Sequence, residues 1–206
     1  MELTFTPSGF VATIPDTVVK RADEYSSVMM DNAELSCLAG AALAFPWTPD
    51  ALAVEIGSYE GTTAAFLAES MFDAGHLNHI ISIDPFERAP TSPGNPAGKY
   101  EVYLKTMHDR GLEDRCVPLV AFSHHAAPAV PDRIGFLIVD GNHEFESVQQ
   151  DLALYAPKVL PGGFIFLDDY TEAYPGVVRA TDEFVEASAD FTLLHKSWFA
   201  ILQRTG

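Results

Sequence analysis

The sequence predicts an α/β fold: a mostly parallel seven-stranded sheet with helices on both faces, an antiparallel C-terminal hairpin strand and an N-terminal helical appendage. From residue 51 onward, short apolar runs alternate with amphipathic segments, which is the pattern of strand–helix units in a parallel sheet. Two runs, 134–139 and 164–167, stop abruptly at acidic residues, as buried strands do at the ligand-binding edge of such sheets. Little more than Lys196 and Ser197 separates the last two runs, so those strands must pair antiparallel.

The N-terminal appendage, residues 1–50, is predicted to hold two helices, at 16–30 and 32–45. Asp31 or Asn32 is suited to cap the second helix, and the prolines that follow it cannot continue a helix. Because paired helices of this kind often form interfaces, a homo-oligomer is a possible assembly.

The core, residues 51–206, takes its elements in chain order. Strands are predicted at 51–56, 79–83, 116–121, 134–139, 164–167, 191–194 and 198–202. Helices are predicted at 62–74, 99–110, 145–155 and 177–188. The proline-rich segment 86–98 is expected to be a mobile loop that, with the N-terminal helices, closes over a substrate.

Length and composition fit one domain covering residues 1–206. Twelve basic and 29 acidic residues give a net charge of −17, which argues against nucleic acid or an anionic membrane surface as a partner and favours small neutral or cationic ligands. The chain has no long apolar run and no apolar signal core at its N-terminus, so we expect a cytoplasmic protein. Cys37 and Cys116 are isolated and are expected to be reduced core thiols.

Two features suggest a nucleoside ligand. Gly57 and Gly61 follow the first core strand and allow a tight turn, although Tyr59 stands where a dinucleotide fingerprint has its middle glycine. On its own this turn fits a structural role and a ligand-binding role equally. Asp84 ends the next strand, at a spacing from Gly57 that suits a carboxylate holding both ribose hydroxyls, and the alternative is a turn residue before Pro85.

Together these segments resemble class I S-adenosylmethionine-dependent methyltransferases. More narrowly, they resemble the branch that includes macrocin-type sugar O-methyltransferases and cephalosporin-hydroxylase-like proteins. The resemblance covers roughly residues 50–203 and is carried by segments 54–63, 81–85, 140–146, 161–170 and 176–184. It implies a Rossmann-like core and S-adenosylmethionine as cofactor. It also implies methyl transfer to a hydroxyl of a small-molecule acceptor such as a sugar, a polyketide or another natural product.

The resemblance also implies roles for individual residues. The cofactor contacts it implies are Glu55, Gly57, Ser58, Gly61, Asp84, Pro85, Phe86, Ser123 and Asp140. Glu55 and the glycine turn would line the methionine part, Asp84 the ribose, and Pro85 or Phe86 the adenine. Ser123 would contact adenine, or else cap a short helix beginning near His124.

A magnesium site is implied at Asp140, Asp168 and Asp169, because carboxylate oxygens suit Mg²⁺ and a bound metal lowers the pKa of an acceptor hydroxyl. The alternative for Asp168 or Asp169 is a turn cap. Several relatives have an acidic residue where this chain has Asn142, so His143 becomes the candidate general base beside Asp140. His143 could equally orient the loop.

Two other functions stay open at this stage. A nicotinamide-dependent oxidoreductase would explain Asp84 but lacks the three-glycine turn and leaves Asp168 and Asp169 without a role. A non-methylating member of the same fold could use the acidic residues for other metal-dependent chemistry or for ligand binding.

Overall fold

The computed structural model describes residues 1–5, 8–27, 29–86 and 99–206. The strands are β1 (Glu2–Phe5), β2 (Phe10–Thr13), β3 (Leu52–Ile56), β4 (Ile80–Asp84), β5 (Cys116–Val120), β6 (Ile134–Val139), β7 (Val159–Leu167), β8 (Phe191–Lys196) and β9 (Ala200–Arg204). The helices are α1 (Asp16–Tyr25), α2 (Asn32–Ala44), α3 (Thr62–Asp73), α4 (Lys99–Arg110), α5 (Ser123–Ala126), α6 (Phe145–Tyr155) and α7 (Pro175–Ala187), with 3₁₀ turns at Ala127–Ala129 and Ala156–Lys158. The loop predicted for 86–98 lies outside the described residues, apart from Phe86.

The predicted fold class is confirmed. Seven strands form one sheet in the order β5-β4-β3-β6-β7-β9-β8, in which β5 to β7 are parallel, β9 is antiparallel to β7, and β8 is antiparallel to β9. From β3 the chain first builds toward β5 and then returns to build β6 and β7 on the other side. Loops that leave the carboxyl ends of β3 and β6 therefore diverge, and the crevice between them is where open α/β sheets bind ligands.

The register of the central strands sets which residues meet at this crevice. Ile56 of β3 pairs with Val139 of β6, and Val139 pairs with Leu167 of β7. The next residues, Gly57, Asp140 and Asp168, consequently lie beside one another at the carboxyl edge.

Both faces of the sheet are buried. Alternate residues of the central strands enter two cores, as the strand pleat requires. Phe164 and Phe166 of β7 pack in the core under α1 to α4, whereas Ile165 and Leu167 pack in the core under α5 to α7. Burial on both faces explains why these strands appear in the sequence as continuous apolar runs rather than as alternating ones.

The N-terminal region differs from the prediction in two respects. An antiparallel hairpin, β1 with β2, precedes the helices and was not predicted. The first helix ends at Tyr25 rather than at residue 30, because Ser26 is extended and Met30 folds back into the core. Asp31 is the cap of α2: its carboxylate accepts from the Ala33 and Glu34 amides, and Glu34 reciprocally accepts from the Asp31 amide.

Strand β7 begins at Val159, five residues before the predicted start. Its register against β6 shifts between the pairs Ile134–Val159 and Phe136–Phe164, so a bulge absorbs the extra residues. Pro161 falls within this bulge, where its missing N–H costs no ladder hydrogen bond.

Candidate active site

A cavity of about 700 Å³ opens at the carboxyl edge of the sheet. Eight of the predicted site residues line it: Gly57, Asp84, Pro85, Ser123, Asp140, His143, Asp168 and Asp169. Four predicted cofactor residues lie off its wall: Glu55, Ser58, Gly61 and Phe86. Residues that sequence reasoning did not place there include Tyr59, Thr63, Ser147, Gln150, Asp151 and Tyr174.

The glycine turn brings β3 and β6 into close approach. Gly57 has φ of +88°, and a Cβ at this position would lie 1.9 Å from the backbone oxygen of Asp140. Gly61, at φ of +80°, faces Tyr103 and Met107 of α4, so it serves packing and not the cavity wall. Of the two glycines, only Gly57 lets a ligand approach the backbone at the crevice.

Glu55 lies beneath the turn and is almost fully buried, with 1% of its surface exposed. Burial raises the pKa of its carboxyl to about 8, and Oε2 accepts a hydrogen bond from the Ser82 hydroxyl at 3.3 Å. A carboxyl in this setting is protonated at neutral pH and supports the turn from below. Its predicted contact with the cofactor stays a prediction.

Asp84 is held in place by two backbone amides. The Tyr59 amide donates to Oδ2 at 2.9 Å, and the Phe86 amide donates to Oδ1 at 2.6 Å. Each oxygen retains a lone pair for a ribose hydroxyl. Pro85 lies on the cavity wall, whereas the Phe86 ring packs against Tyr100 and Tyr103 at 5.2 and 5.3 Å between centroids.

The acidic end of the cavity gathers Asp140, His143 and Asp169. Nε2 of His143 lies 3.1 Å from Oδ2 of Asp169 and 4.0 Å from Oδ1 of Asp140. In the described part of the chain these three residues each offer a ligand atom within 4.8 Å of the others. Asp168 lines the cavity but is not part of this group, so the structure brings together two of the three predicted metal ligands and adds His143.

Burial and repulsion between carboxylates raise pKa values at the acidic end of the cavity. Burial, followed by the charge of Asp140, raises the pKa of Asp168 to about 8. Burial also raises the pKa of Asp140. The pKa of His143 is raised as well, chiefly by its interaction with the Asp140 carboxylate, because that carboxylate stabilises the imidazolium. Carboxylates held this close are what a bound cation would neutralise.

The N-terminal appendage forms the wall opposite these acids. Met29 and Met30 line the cavity. Glu34, in the first turn of α2, lies close enough for the charges of Asp169 and Asp140 to contribute to its raised pKa, after burial itself. This end of the cavity therefore combines apolar methionine side chains with the carboxylates of Asp140 and Asp169.

Asn142 and Tyr174 hold the loop after β6. Oδ1 of Asn142 accepts from the Glu144 amide at 2.8 Å, so Asn142 shapes the turn. The ring of Tyr174 packs edge-on against His143, with 4.4 Å between centroids. His143 is thus held by a ring on one side and a carboxylate on the other, and both of its predicted roles remain compatible with this position.

The opposite end of the cavity lies between α5 and α6. Ser123 is the first residue of α5 and Phe122 occupies the cap position without a side-chain bond, so Ser123 is not the cap of this helix. The Tyr155 hydroxyl of α6 donates to the Ser123 carbonyl at 2.7 Å and ties the two helices together. Asp151, also on α6, lines the cavity beside Ser123.

Known proteins resemble this chain both in sequence and in fold. A family model described as "Methyltransferase domain" matches residues 54–170. The fold is similar to that of the O-methyltransferase NovP, with a TM-score of 0.71, 19% identity and coverage of 91% of this chain and 88% of NovP. It is also similar to the O-methyltransferase TomG from Streptomyces achromogenes, solved with S-adenosylmethionine, with a TM-score of 0.60, 16% identity and coverage of 95% and 92%.

Two further proteins are similar to this chain, one in fold and one in sequence. A putative rRNA methylase from Clostridium thermocellum has a TM-score of 0.64 at 15% identity, with coverage of 82% of this chain and 96% of that one. An uncharacterized protein of Acanthamoeba polyphaga mimivirus is 26% identical over 140 residues, which are 64% of this chain. The chain spans 58% of the length of that curated relative.

Proposed function

Because the chain belongs to the methyltransferase-domain family and has the class I S-adenosylmethionine-dependent fold, we propose that it transfers a methyl group from S-adenosylmethionine to a hydroxyl of a small molecule. One observation carries the proposal. A single cavity runs from the fixed carboxylate of Asp84 to the acidic end at Asp140 and Asp169. Such a cavity can hold a nucleoside at one end and an acceptor at the other.

In this arrangement the Asp84 carboxylate would accept from the ribose hydroxyls, and the turn at Gly57 would hold the methionine part. Glu55 and Ser58 support that turn from below. S-adenosylmethionine would supply the methyl group, which passes to the acceptor oxygen as the carbon–sulfur bond breaks, and the acidic end would hold that acceptor. Such a displacement depends chiefly on alignment of the two reactants.

The acceptor end favours a hydroxyl attached to a partly apolar body, since Met29, Met30 and Tyr174 surround the acids. His143 or Asp140 lies where it can accept the hydroxyl proton. Asp140 and Asp169, with Asp168 beside them, have the hard oxygen donors that magnesium prefers, although the His143 nitrogen also suits transition metals. A metal at this position would supply binding of the acceptor oxygen and a lower hydroxyl pKa.

We propose a small-molecule acceptor even though one similar fold belongs to a putative rRNA methylase. A net charge of −17 disfavours binding to a phosphate backbone, which dominates nucleic-acid affinity. Binding of labelled RNA at low salt would overturn this part of the proposal.

Isothermal titration with S-adenosylhomocysteine tests the cofactor site. We expect binding by the native protein, and binding weaker by about 10- to 100-fold in Asp84→Asn, because the amide must turn an NH₂ group toward one of the two backbone donors. Asp50→Asn, an exposed change outside the cavity, is the matched control and should leave affinity unchanged. Absence of binding by a folded native protein would overturn the proposed function.

A further inference from the structure

Tyr103 is a fully buried side chain of α4 that does not line the cavity and has no role in the proposed chemistry. Its ring packs against two segments that carry proposed cofactor contacts. A Cβ at Gly61 would lie 2.8 Å from Cδ2 of Tyr103, and the Phe86 ring lies 5.3 Å away between centroids. Gly61 ends the turn that begins at Gly57, and the Phe86 amide donates to Asp84, so one side chain supports both segments.

Packing accounts for the ring of Tyr103 but not for its hydroxyl. The hydroxyl oxygen is buried and has no hydrogen-bond partner in the described part of the chain. A buried hydroxyl without a partner destabilises a fold, and phenylalanine would fill the same position without that cost. The hydroxyl therefore calls for a role other than stability.

A buried polar pair lies between this hydroxyl and the glycine turn. Ser82 of β4 is the strand partner of Glu55 of β3, and its hydroxyl donates to Oε2 of Glu55 at 3.3 Å. Because Ser82 uses its proton in this bond, its oxygen remains able to accept from Tyr103. Burial raises the pKa of Tyr103, and Ser82 is close enough to oppose that rise.

The polar pair reaches the turn through Ser58. Ser58 follows Gly57 and is buried, and its Oγ also lacks a hydrogen-bond partner among the described residues. Burial raises the pKa of Glu55, and both Ser58 and Ser82 oppose that rise, which places Glu55 between the two hydroxyls. The side chains of Tyr103, Ser82, Glu55 and Ser58 thus connect α4 to the turn. A polar network makes its surroundings rigid only when each of its members is satisfied.

We propose that Tyr103 is a positioning residue for the cofactor: its hydroxyl donates to Ser82 when the cofactor occupies the turn, and this bond fixes Glu55 and the turn beside it. The inference rests on the proposed function, because the turn must hold the cofactor. Hydrogen bonds that are long or poorly aligned in a free enzyme tighten when the ligand completes the site. The hydroxyl then contributes to ligand affinity, whereas the stability of the free protein does not depend on it.

The test removes only the hydroxyl. Tyr103→Phe should bind S-adenosylhomocysteine about 5- to 20-fold more weakly in titration calorimetry. Circular dichroism melting without ligand should give this variant a midpoint equal to or above the native one, because an unpartnered buried hydroxyl has been removed. A purely structural role would instead lower the midpoint and leave the affinity native.

Tyr25→Phe is the matched control. Tyr25 of α1 is also a buried tyrosine whose hydroxyl has no hydrogen-bond partner within the described ranges, but its ring contacts Phe66 and Arg110. The control should leave the affinity for S-adenosylhomocysteine unchanged.

Nuclear magnetic resonance of the native protein, labelled with ¹³C at the tyrosine Cζ atoms, gives a second readout. The Tyr103 resonance, assigned by its absence from Tyr103→Phe, should move when S-adenosylhomocysteine is added, because the hydroxyl gains an acceptor. The Tyr25 resonance, assigned in the same way, should stay in place.

The outcomes separate this inference from the proposed function. A folded native protein that does not bind S-adenosylhomocysteine overturns the proposed function and this inference with it. Native affinity in Tyr103→Phe, a melting midpoint below the native one, or a Tyr103 resonance that does not respond to the ligand overturns only the role of Tyr103.

Discussion

The two ends of the cavity are built in different ways. The proposed nucleoside end is formed by the carboxyl ends of adjacent parallel strands, and backbone amides of Tyr59 and Phe86 hold its central carboxylate, Asp84. The proposed acceptor end combines two strand ends with Met29 and Met30, which reach it from the N-terminal appendage. The first end is a product of sheet topology, whereas the second depends on how an added segment docks.

This difference indicates where specificity for the acceptor can change without loss of the fold. Strand register constrains the residues at the nucleoside end, because even a Cβ at Gly57 would collide with the backbone oxygen of Asp140. Side chains of the appendage carry no such constraint and can differ while the cofactor site is preserved. Substitutions at the nucleoside end should therefore disturb both ends, and substitutions in the appendage should disturb only one.

The largest effect should come from Gly57→Ala. The change forces a left-handed φ on alanine and drives its Cβ against the Asp140 carbonyl, so we expect a loss of about 3–5 kcal/mol in unfolding free energy and no detectable binding of S-adenosylhomocysteine. Gly75→Ala is the matched control, because Gly75 has φ of +85° with no atom within 4 Å of the added Cβ. The control should lose only about 1–2 kcal/mol in urea denaturation. Equal losses in the two variants would contradict the close approach of β3 and β6.

The next largest effect should separate the two ends. Asp169→Asn should lower methyl transfer by about 100- to 1000-fold, because it removes charge from the acceptor end, and should leave S-adenosylhomocysteine affinity within about threefold. Chelator-treated native protein should show a similar loss that added Mg²⁺ or Mn²⁺ reverses.

The control for this prediction is Glu172→Gln, an exposed change in the segment after β7 that does not line the cavity. It should keep native activity. Full activity of the chelated protein would show that no metal takes part, and Asp140 and Asp169 would then act by charge alone.

The sequence correctly placed Gly57, Asp84 and Asp140 at the carboxyl edge of one sheet because topology determines their position, and their contacts with a cofactor stay predictions. Apolar runs ending at Gly57, Asp84 and Asp140 indicate parallel strands, and parallel strands bring their carboxyl ends to one edge. The make-up of the acidic group Asp140, His143 and Asp169 was harder to predict, since Asp168 and Asp169 are consecutive. Asp169 adopts φ of +56°, which turns the chain at the end of β7, and sequence alone does not show which of two neighbours then faces His143.

The remaining differences have local physical causes. Met29 and Met30 lie more than 100 residues from Asp140 in sequence, and no periodicity reports their docking. Asp151 looks like an exposed helix carboxylate in the sequence, because polar residues surround it on α6 and its burial depends on α5. Its position at an i, i+4 spacing from Ser147, which also lines the cavity, was the available signal.

The buried carboxyl of Asp151 should make the stability of the free protein depend on pH. The pKa of Asp151 is about 6 in the folded chain and about 4 when unfolded, so between these values the folded state binds more protons and stability falls as pH rises. A difference of about two pKa units corresponds to a destabilisation of the folded state by about 3 kcal/mol. This destabilisation is complete above about pH 6 and absent below about pH 4. Asp151→Asn removes this cost.

The stability gained by Asp151→Asn over the native protein should therefore grow by about 2–3 kcal/mol between pH 4 and pH 7.5, measured by urea denaturation without ligand. Glu55 and Asp168, whose pKa values are also raised, act in the same sense, but they are present in both proteins and cancel in the difference. A flat profile for Asp151→Asn would mean that this carboxylate is hydrated in the free protein.

The smallest effect should appear at the acceptor end alone. Asp31→Ala removes the cap of α2 and the capping box with Glu34, which should cost about 1–2 kcal/mol and loosen the wall formed by Met29 and Met30. We expect the KM for the acceptor to rise while affinity for S-adenosylhomocysteine stays native, because α2 provides no residue to the nucleoside end. Glu24→Ala, which removes an exposed carboxylate from α1, should change neither quantity. If Asp31→Ala weakened cofactor binding as much as acceptor binding, the appendage would support the whole cavity, and the division into two independent ends would be wrong.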